Sequence, residues 1–215
     1  GNGSNLVAVG EQGTLLSSLN ATSWDIHTTG GLYTVFGISP FTDIIRSTTQ
    51  FVAVGSDITA TSADGLSWST VPVSASLNAL SWNGSVYVAV GGSGKIYSSA
   101  NGSSWTQRAS GTTQTLEDVI WDTLTSQFLA VGWNGTILAS TDGTSWAAKN
   151  PGVSDRLLGI TSNGSQLVAA GINASFSDGS ILTSLNGDDW TPRTSPGSTS
   201  NFYNDVVSNG SGYLI

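Results

Sequence analysis

Three aspartates recur at one point of a repeated unit: Asp43, Asp118 and Asp205, with Ala79 and Gly159 in the other two copies. Carboxylates on equivalent strands can converge, and oxygen ligands suit a hard cation such as calcium. The competing reading is solvated acids that bond loop backbone. Trp82, Trp121 and Trp133 form a second set. Trp82 and Trp121 close the first strand of their units. Trp133 lies in a turn beside Asn134-Gly135. An aromatic at a hairpin tip offers a flat apolar face and a polar edge to a sugar ring or a protein partner. Burial against a neighbouring unit is the alternative. Thiol chemistry, thiolate metal sites and disulfides are excluded, because the chain has no Cys. His27 is the single histidine, and no phosphate loop, metal-spaced His cluster or nucleophile elbow occurs.

The elements that must position these residues come from a repeat. A block of the type Val-Ala-Val-Gly recurs at Val7–Gly10, Val52–Gly55, Val88–Gly91, Leu129–Gly132 and Val168–Gly171. Each is followed by a Ser-x-Asn/Asp turn that ends on Trp. The copies are Ser18, Asn20 and Trp24; Ser62, Asp64 and Trp68; Ser99, Asn101 and Trp105; Ser140, Asp142 and Trp146; and Ser184, Asn186 and Trp190. A fixed period of about 40 residues decides architecture before local propensity does. Within residues 77 to 110 the pattern predicts four strands, at Leu77 to Trp82, Val86 to Val90, Lys95 to Ser99 and Trp105 to Ala109. Asn-Gly and glycine turns join them. Four short antiparallel strands repeated radially predict an all-β fold, a β-propeller blade per repeat. The repeats run approximately 2–46, 47–82, 83–121, 122–162 and 163–208, and a further one starts at 209–215. Asn2-Gly3-Ser4 and Asn209-Gly210-Ser211 fall at the same point of the unit. The overlap is expected of an internal piece of a six- or seven-bladed ring, with a closed five-bladed ring as the alternative.

The Ser-x-Asp-Gly-x-Ser/Thr-Trp endings resemble the Asp-box, the bacterial neuraminidase repeat, and the preceding blocks are similar to non-catalytic bacterial surface and secreted propellers of that superfamily. The box itself reads as a hairpin staple. Asn or Asp bonds backbone two residues on, Gly takes the left-handed conformation, and Trp folds back onto the blade. A sialidase-type activity would need three converging arginines, an acid Asp and a Tyr-Glu pair. Arg108 and Arg193 fall three residues after a box Trp, on the outermost strand, as do Lys149 and His27. Glu occurs only at positions 11 and 117, away from Tyr203 and Tyr213. The family's catalytic pattern therefore fails, and no carboxylate pair of the kind glycosidases need is singled out.

Composition narrows the partners. Charged residues are 9% against the usual quarter or so, yet hydrophobic residues reach 38%, so the chain is a folded one with a polar, uncharged surface. A net charge of -8 with six Lys plus Arg leaves no basic stripe for nucleic acid. Apolar runs are only strand-length, which argues against direct membrane insertion. Asn2, Asn20, Asn83, Asn101, Asn134, Asn163, Asn173 and Asn209 begin Asn-x-Ser/Thr sequons. Most follow from the Asn-Gly-Ser/Thr turns the fold uses anyway; the other reading is glycosylation. The expectation is an extracellular or cell-surface propeller without enzymatic activity, presenting loops to glycans or proteins, with no cofactor beyond a calcium ion at the aspartates. One alternative is a fragment of a glycan hydrolase whose catalytic residues lie outside this chain. Another is a structural repeat that self-associates in a surface layer or filament.

Overall fold

The computed structural model describes residues 5–27, 40–195 and 202–215. Asn2 lies outside them. Residues 116–149 form the expected blade, with strands Leu116–Asp122, Gln127–Gly132, Ile137–Ser140 and Ala147–Lys149 in sequential antiparallel order. Residues 156–193 repeat it with Arg156–Ser162, Leu167–Ile172, Gly179–Ser184 and Thr191–Arg193. A three-stranded sheet holds Leu6–Gly10, Thr14–Ser18 and Asp25–His27, and Val207–Ser208 pairs with Tyr213–Leu214.

The strands expected at 86–90, 95–99 and 105–109 form at Tyr87–Gly91, Lys95–Ser99 and Thr106–Arg108, but the second repeat departs from the expected hairpins. No tight turn follows Gly55. Phe51–Ser62 instead runs as one strand, pairing first with Phe41–Arg46 and then with Ser69–Trp82. The register shifts between Ser56 and Ile58, where Asp57 takes a φ of 60°. The shortened connection cannot fold back as a glycine hairpin, so a bulge absorbs the bend. Ser69–Trp82 likewise carries the last strand of one repeat straight into the first of the next, giving a six-stranded sheet.

Two compact units result. One takes in the described residues up to Ala89 together with Tyr97–Thr106; the other comprises Val90–Ile96 and the described residues from Gln107 onward. The core of the first gathers Val52, Val54, Leu77, Leu80 and Tyr87, with Trp82 and Trp105 at its margin. In the second, Leu129, Val131 and Ile137 of one blade pack with Leu157, Ile160 and Leu182 of the next. The second strand of these two blades is covered on both faces. That is why its sequence is an unbroken apolar run rather than an alternating one: Leu129, Ala130 and Val131 are all 0% exposed.

The glycine that closes this run answers to a close approach. A Cβ on Gly132 would lie 2.1 Å from the Thr115 carbonyl oxygen, and one on Gly55 or Gly171 would meet Pro40 or Arg156 backbone as tightly. The incoming first strand crosses directly over it. Gly132→Ala is expected to cost about 2–3 kcal/mol, as overpacking against backbone does, read as a lower urea midpoint. An unchanged midpoint would show that the crossing strand can move aside.

Candidate functional site

Antiparallel order sorts the loops of each blade. Turns between strands one and two, and the box turns between strands three and four, lie at one edge. Turns between strands two and three, and the links from strand four to the next blade, lie at the other, here called the loop edge.

At the box edge the turn chemistry is uniform. The Gly65 N–H donates to Ser62 Oγ at 2.8 Å, and the Leu66 and Ser67 N–H groups donate to Asp64 Oδ1 at 2.8 and 2.9 Å. Trp68 Nε1 then donates to the Gly65 carbonyl at 3.2 Å. The copies at Ser99–Asn101–Trp105 and Ser184–Asn186–Trp190 repeat every one of these bonds. Ser140 and Asp142 repeat the turn, but Trp146 Nε1 is buried without a partner. In the first copy Ser18 and Asn20 hold the turn with Ala21 at a φ of 61°, and Trp24 is exposed. In every copy the box Ser oxygen and Asn or Asp Oδ1 accept backbone amides of the turn, so the box is a staple.

Asp43 and Asp118 each bridge two repeats through backbone amides. Asp43 Oδ1 accepts the Ile44 N–H at 2.7 Å, and its Oδ2 accepts the Leu80 N–H of the next repeat at 2.7 Å. Asp118 does the same with Val119 at 2.7 Å and Ile160 at 2.8 Å. Asp205 Oδ1 accepts the Val206 N–H and lies where a Cβ on Gly159 would come within 2.7 Å of it. Asp43 and Asp118 each sit at a register shift of their first strand, which turns amides out of the ladder. A carboxylate that takes two such amides is a clamp between blades. Among the described residues no group of three His, Cys, Asp or Glu could hold a metal ion.

The tryptophans separate. Trp82 stacks on Tyr87 with centroids 6.0 Å apart, and Trp121 meets Phe128 edge-on at 4.8 Å. Both are half-buried packing residues at the box edge. Trp133 is different. It stands at the loop edge, 40% exposed, and its Nε1 donates to Glu117 Oε1. Arg156 donates to the same oxygen at 2.9 Å and lays its guanidinium 4.3 Å from the Trp133 ring centroid. Cation–π contact and a shared carboxylate thus fix the indole in one orientation. Trp133 and Arg156, with Gln114, Asn173 and Phe176, line a cleft of about 170 Å³. Phe176 is 63% exposed and held at a φ of 53°, rare for an aromatic. Its loop is built by Asn173, which accepts the Ser177 N–H at 3.0 Å, and by Asp155, which accepts the Ala174 N–H and the Ser180 hydroxyl.

Glu117, Asp155 and the pairing role of Arg156 are not evident from the repeat. Glu117 is the residue inserted at the bulge, between Leu116 and Asp118 in the register. Its one sequence signal is that it is the only glutamate beside a repeat aspartate. The outer-strand cations lie where expected. His27 Nε2 is 2.6 Å from Ser17 Oγ, Arg193 donates to Thr183 Oγ1, and Lys149 pairs with Asp188. Of the sequon asparagines, Asn20, Asn83, Asn101 and Asn163 accept turn amides through Oδ1. Asn134 is exposed beside Trp133. Asn173 also commits its amide nitrogen, to Ser177 Oγ at 3.1 Å.

No protein-family model and no curated protein sequence matches the chain. Solved structures do. YCF48 bound to D1 peptide aligns with a TM-score of 0.62 and 19% identity over 87% of this chain, which spans 62% of the YCF48 chain. Virginiamycin B lyase from Staphylococcus aureus aligns at 0.69 and 8% identity over 92% of this chain and 72% of its own. The WD40 repeats of RRP9 align at 0.68 and 9% identity, over 94% of this chain and 66% of theirs. At these identities the likeness defines the fold: a β-propeller of four-stranded antiparallel blades.

The box predicts an acid sensitivity. Asp142 is held well below the usual carboxylate range by the Ser145 N–H, then by the hydroxyl and N–H of Thr144. A lowered folded-state pKa contributes stability above the unfolded value of about 3.9, and this is lost as pH falls through the folded value. Asp142→Asn, the residue three other boxes carry, keeps the acceptor and removes the titration. The gap in urea midpoint between wild type and this variant should shrink between about pH 6 and about pH 2.5. A constant gap would contradict the assignment.

Proposed function

We propose that the chain is a non-enzymatic binding and scaffold propeller of the Asp-box type, working outside the cell or at its surface, whose loop edge takes a protein or glycan. One observation carries this reading: Trp133 presents an open indole face that Glu117 and Arg156 hold rigidly from behind. An aromatic fixed before the ligand arrives loses little entropy on binding. Phe176, kept exposed in a strained conformation, adds a second apolar contact across the same cleft. Strain of this kind persists where the surroundings impose it, and the Asp155 and Asn173 bonds do so here.

The arginines support a binding role over glycan hydrolysis. Arg46 lies over the Phe51 ring, Arg156 serves Glu117 and Trp133, and Arg193 bonds Thr183. The YCF48 structure holds a peptide, and a protein segment on the loop edge of this chain is the analogous arrangement.

Glycan and peptide arrays probed with wild type and with Trp133→Ala test the proposal. The strongest signal should fall by about tenfold or more, as truncation of a central aromatic anchor does. Undiminished binding by Trp133→Ala would refute the assignment.

A further inference from the structure

We propose that the loop edge of the second unit is a docking groove for an extended acidic segment of a protein partner. The inference rests on the reading of the Trp133 edge as a binding surface and gives that surface a partner chemistry.

Three clefts adjoin along this edge. The first, of about 540 Å³, lies between the turn at Ser93 and the link following Arg108. It shares Gly111 and Thr112 with a second of about 260 Å³, which shares Asn134 with the Trp133 cleft. Their lining is sharply biased in charge. The chain has six Lys plus Arg and 14 Asp plus Glu. Lys95 and Arg108 line the first cleft, Lys149 the second and Arg156 the third, so four of the six cations face the groove. None of the acids lines any of the three. The carboxylates that pair with Lys149 and Arg156, Asp188 and Glu117, lie outside the lining.

An overall charge of -8 repels an acidic partner from the rest of the surface, so this distribution both attracts such a segment and fixes where it lands. The hydroxyls of Ser93 and Thr113 beside Lys95 and Arg108 add hydrogen-bond donors suited to carboxylates. At the far end Trp133 and Phe176 would receive an apolar side chain. The continuity of the clefts fits an extended chain better than a compact sugar.

Fluorescence anisotropy with two labelled peptides of about twelve residues, roughly 40 Å when extended, tests this. One is oligoglutamate carrying two leucines; the other has Gln in place of Glu. The acidic peptide should bind at least about tenfold tighter near 50 mM NaCl, and the advantage should fade near 300 mM as charges are screened. Lys95→Gln with Arg108→Gln should abolish the advantage at an unchanged melting temperature, and Lys95→Arg with Arg108→Lys should keep it. Trp133→Ala should weaken both peptides. Equal affinity for the two peptides, or a glutamate preference that survives the double Gln variant, would overturn the acidic partner. If Trp133→Ala still weakened binding in that case, the loop-edge reading would stand alone. Were Trp133→Ala also silent, both would fall.

Discussion

The carboxylate of Asp118 accepts two backbone N–H groups at once, from Val119 beside it and from Ile160 on the first strand of the next blade. The blades at 116–149 and 156–193 are separate sheets that share no ladder, so an amide pushed out of register at a bulge has no strand partner. Leaving such a group unmet in a buried setting costs about 1–3 kcal/mol. One carboxylate meets two of them and ties adjacent blades. Asp43 does this for Ile44 and Leu80. The residue opposite must then be small: Gly159 has Asp205 where its Cβ would be, and Ala79 stands at the corresponding position of its repeat. The alternation of Asp with Ala or Gly along the repeats is the sequence trace of this packing.

Function depends on that frame. The bulge that frees amides for Asp118 also inserts Glu117, which then reaches Trp133 and Arg156. Arg156 begins the first strand of one blade, and Trp133 follows the second strand of the blade before it. The fixed orientation of the indole is therefore a consequence of how two blades meet.

Much of this was legible in the residues. The period, the strands at 77 to 99, and the box as a turn staple follow from local chemistry, where every partner lies within about four positions. The outer placement of Arg108, Lys149, Arg193 and His27 follows from counting past the box Trp. Contacts between repeats were not legible. Glu117 and Arg156 are 39 residues apart, and Asp43 and Leu80 are 37 apart. Three acids at equivalent positions suggest convergence on a cation when only their spacing is known. The bulges beside Asp43 and Asp118, which bring their carboxylates to backbone amides, leave no trace in that spacing. The continuous strands Phe51–Ser62 and Ser69–Trp82 were hidden for a related reason, since a bulge leaves no glycine or Asn-Gly signal behind.

The Asp118 carboxylate clamps two blades through backbone amides. Urea unfolding of wild type, Asp118→Ala and Asp118→Asn, each with calcium and with a chelator, tests it most directly. Asn offers one oxygen where two are used, so both variants should lose about 2–3 kcal/mol, with the metal making no difference. Calcium-dependent stability in wild type that disappears in Asp118→Asn would contradict the account.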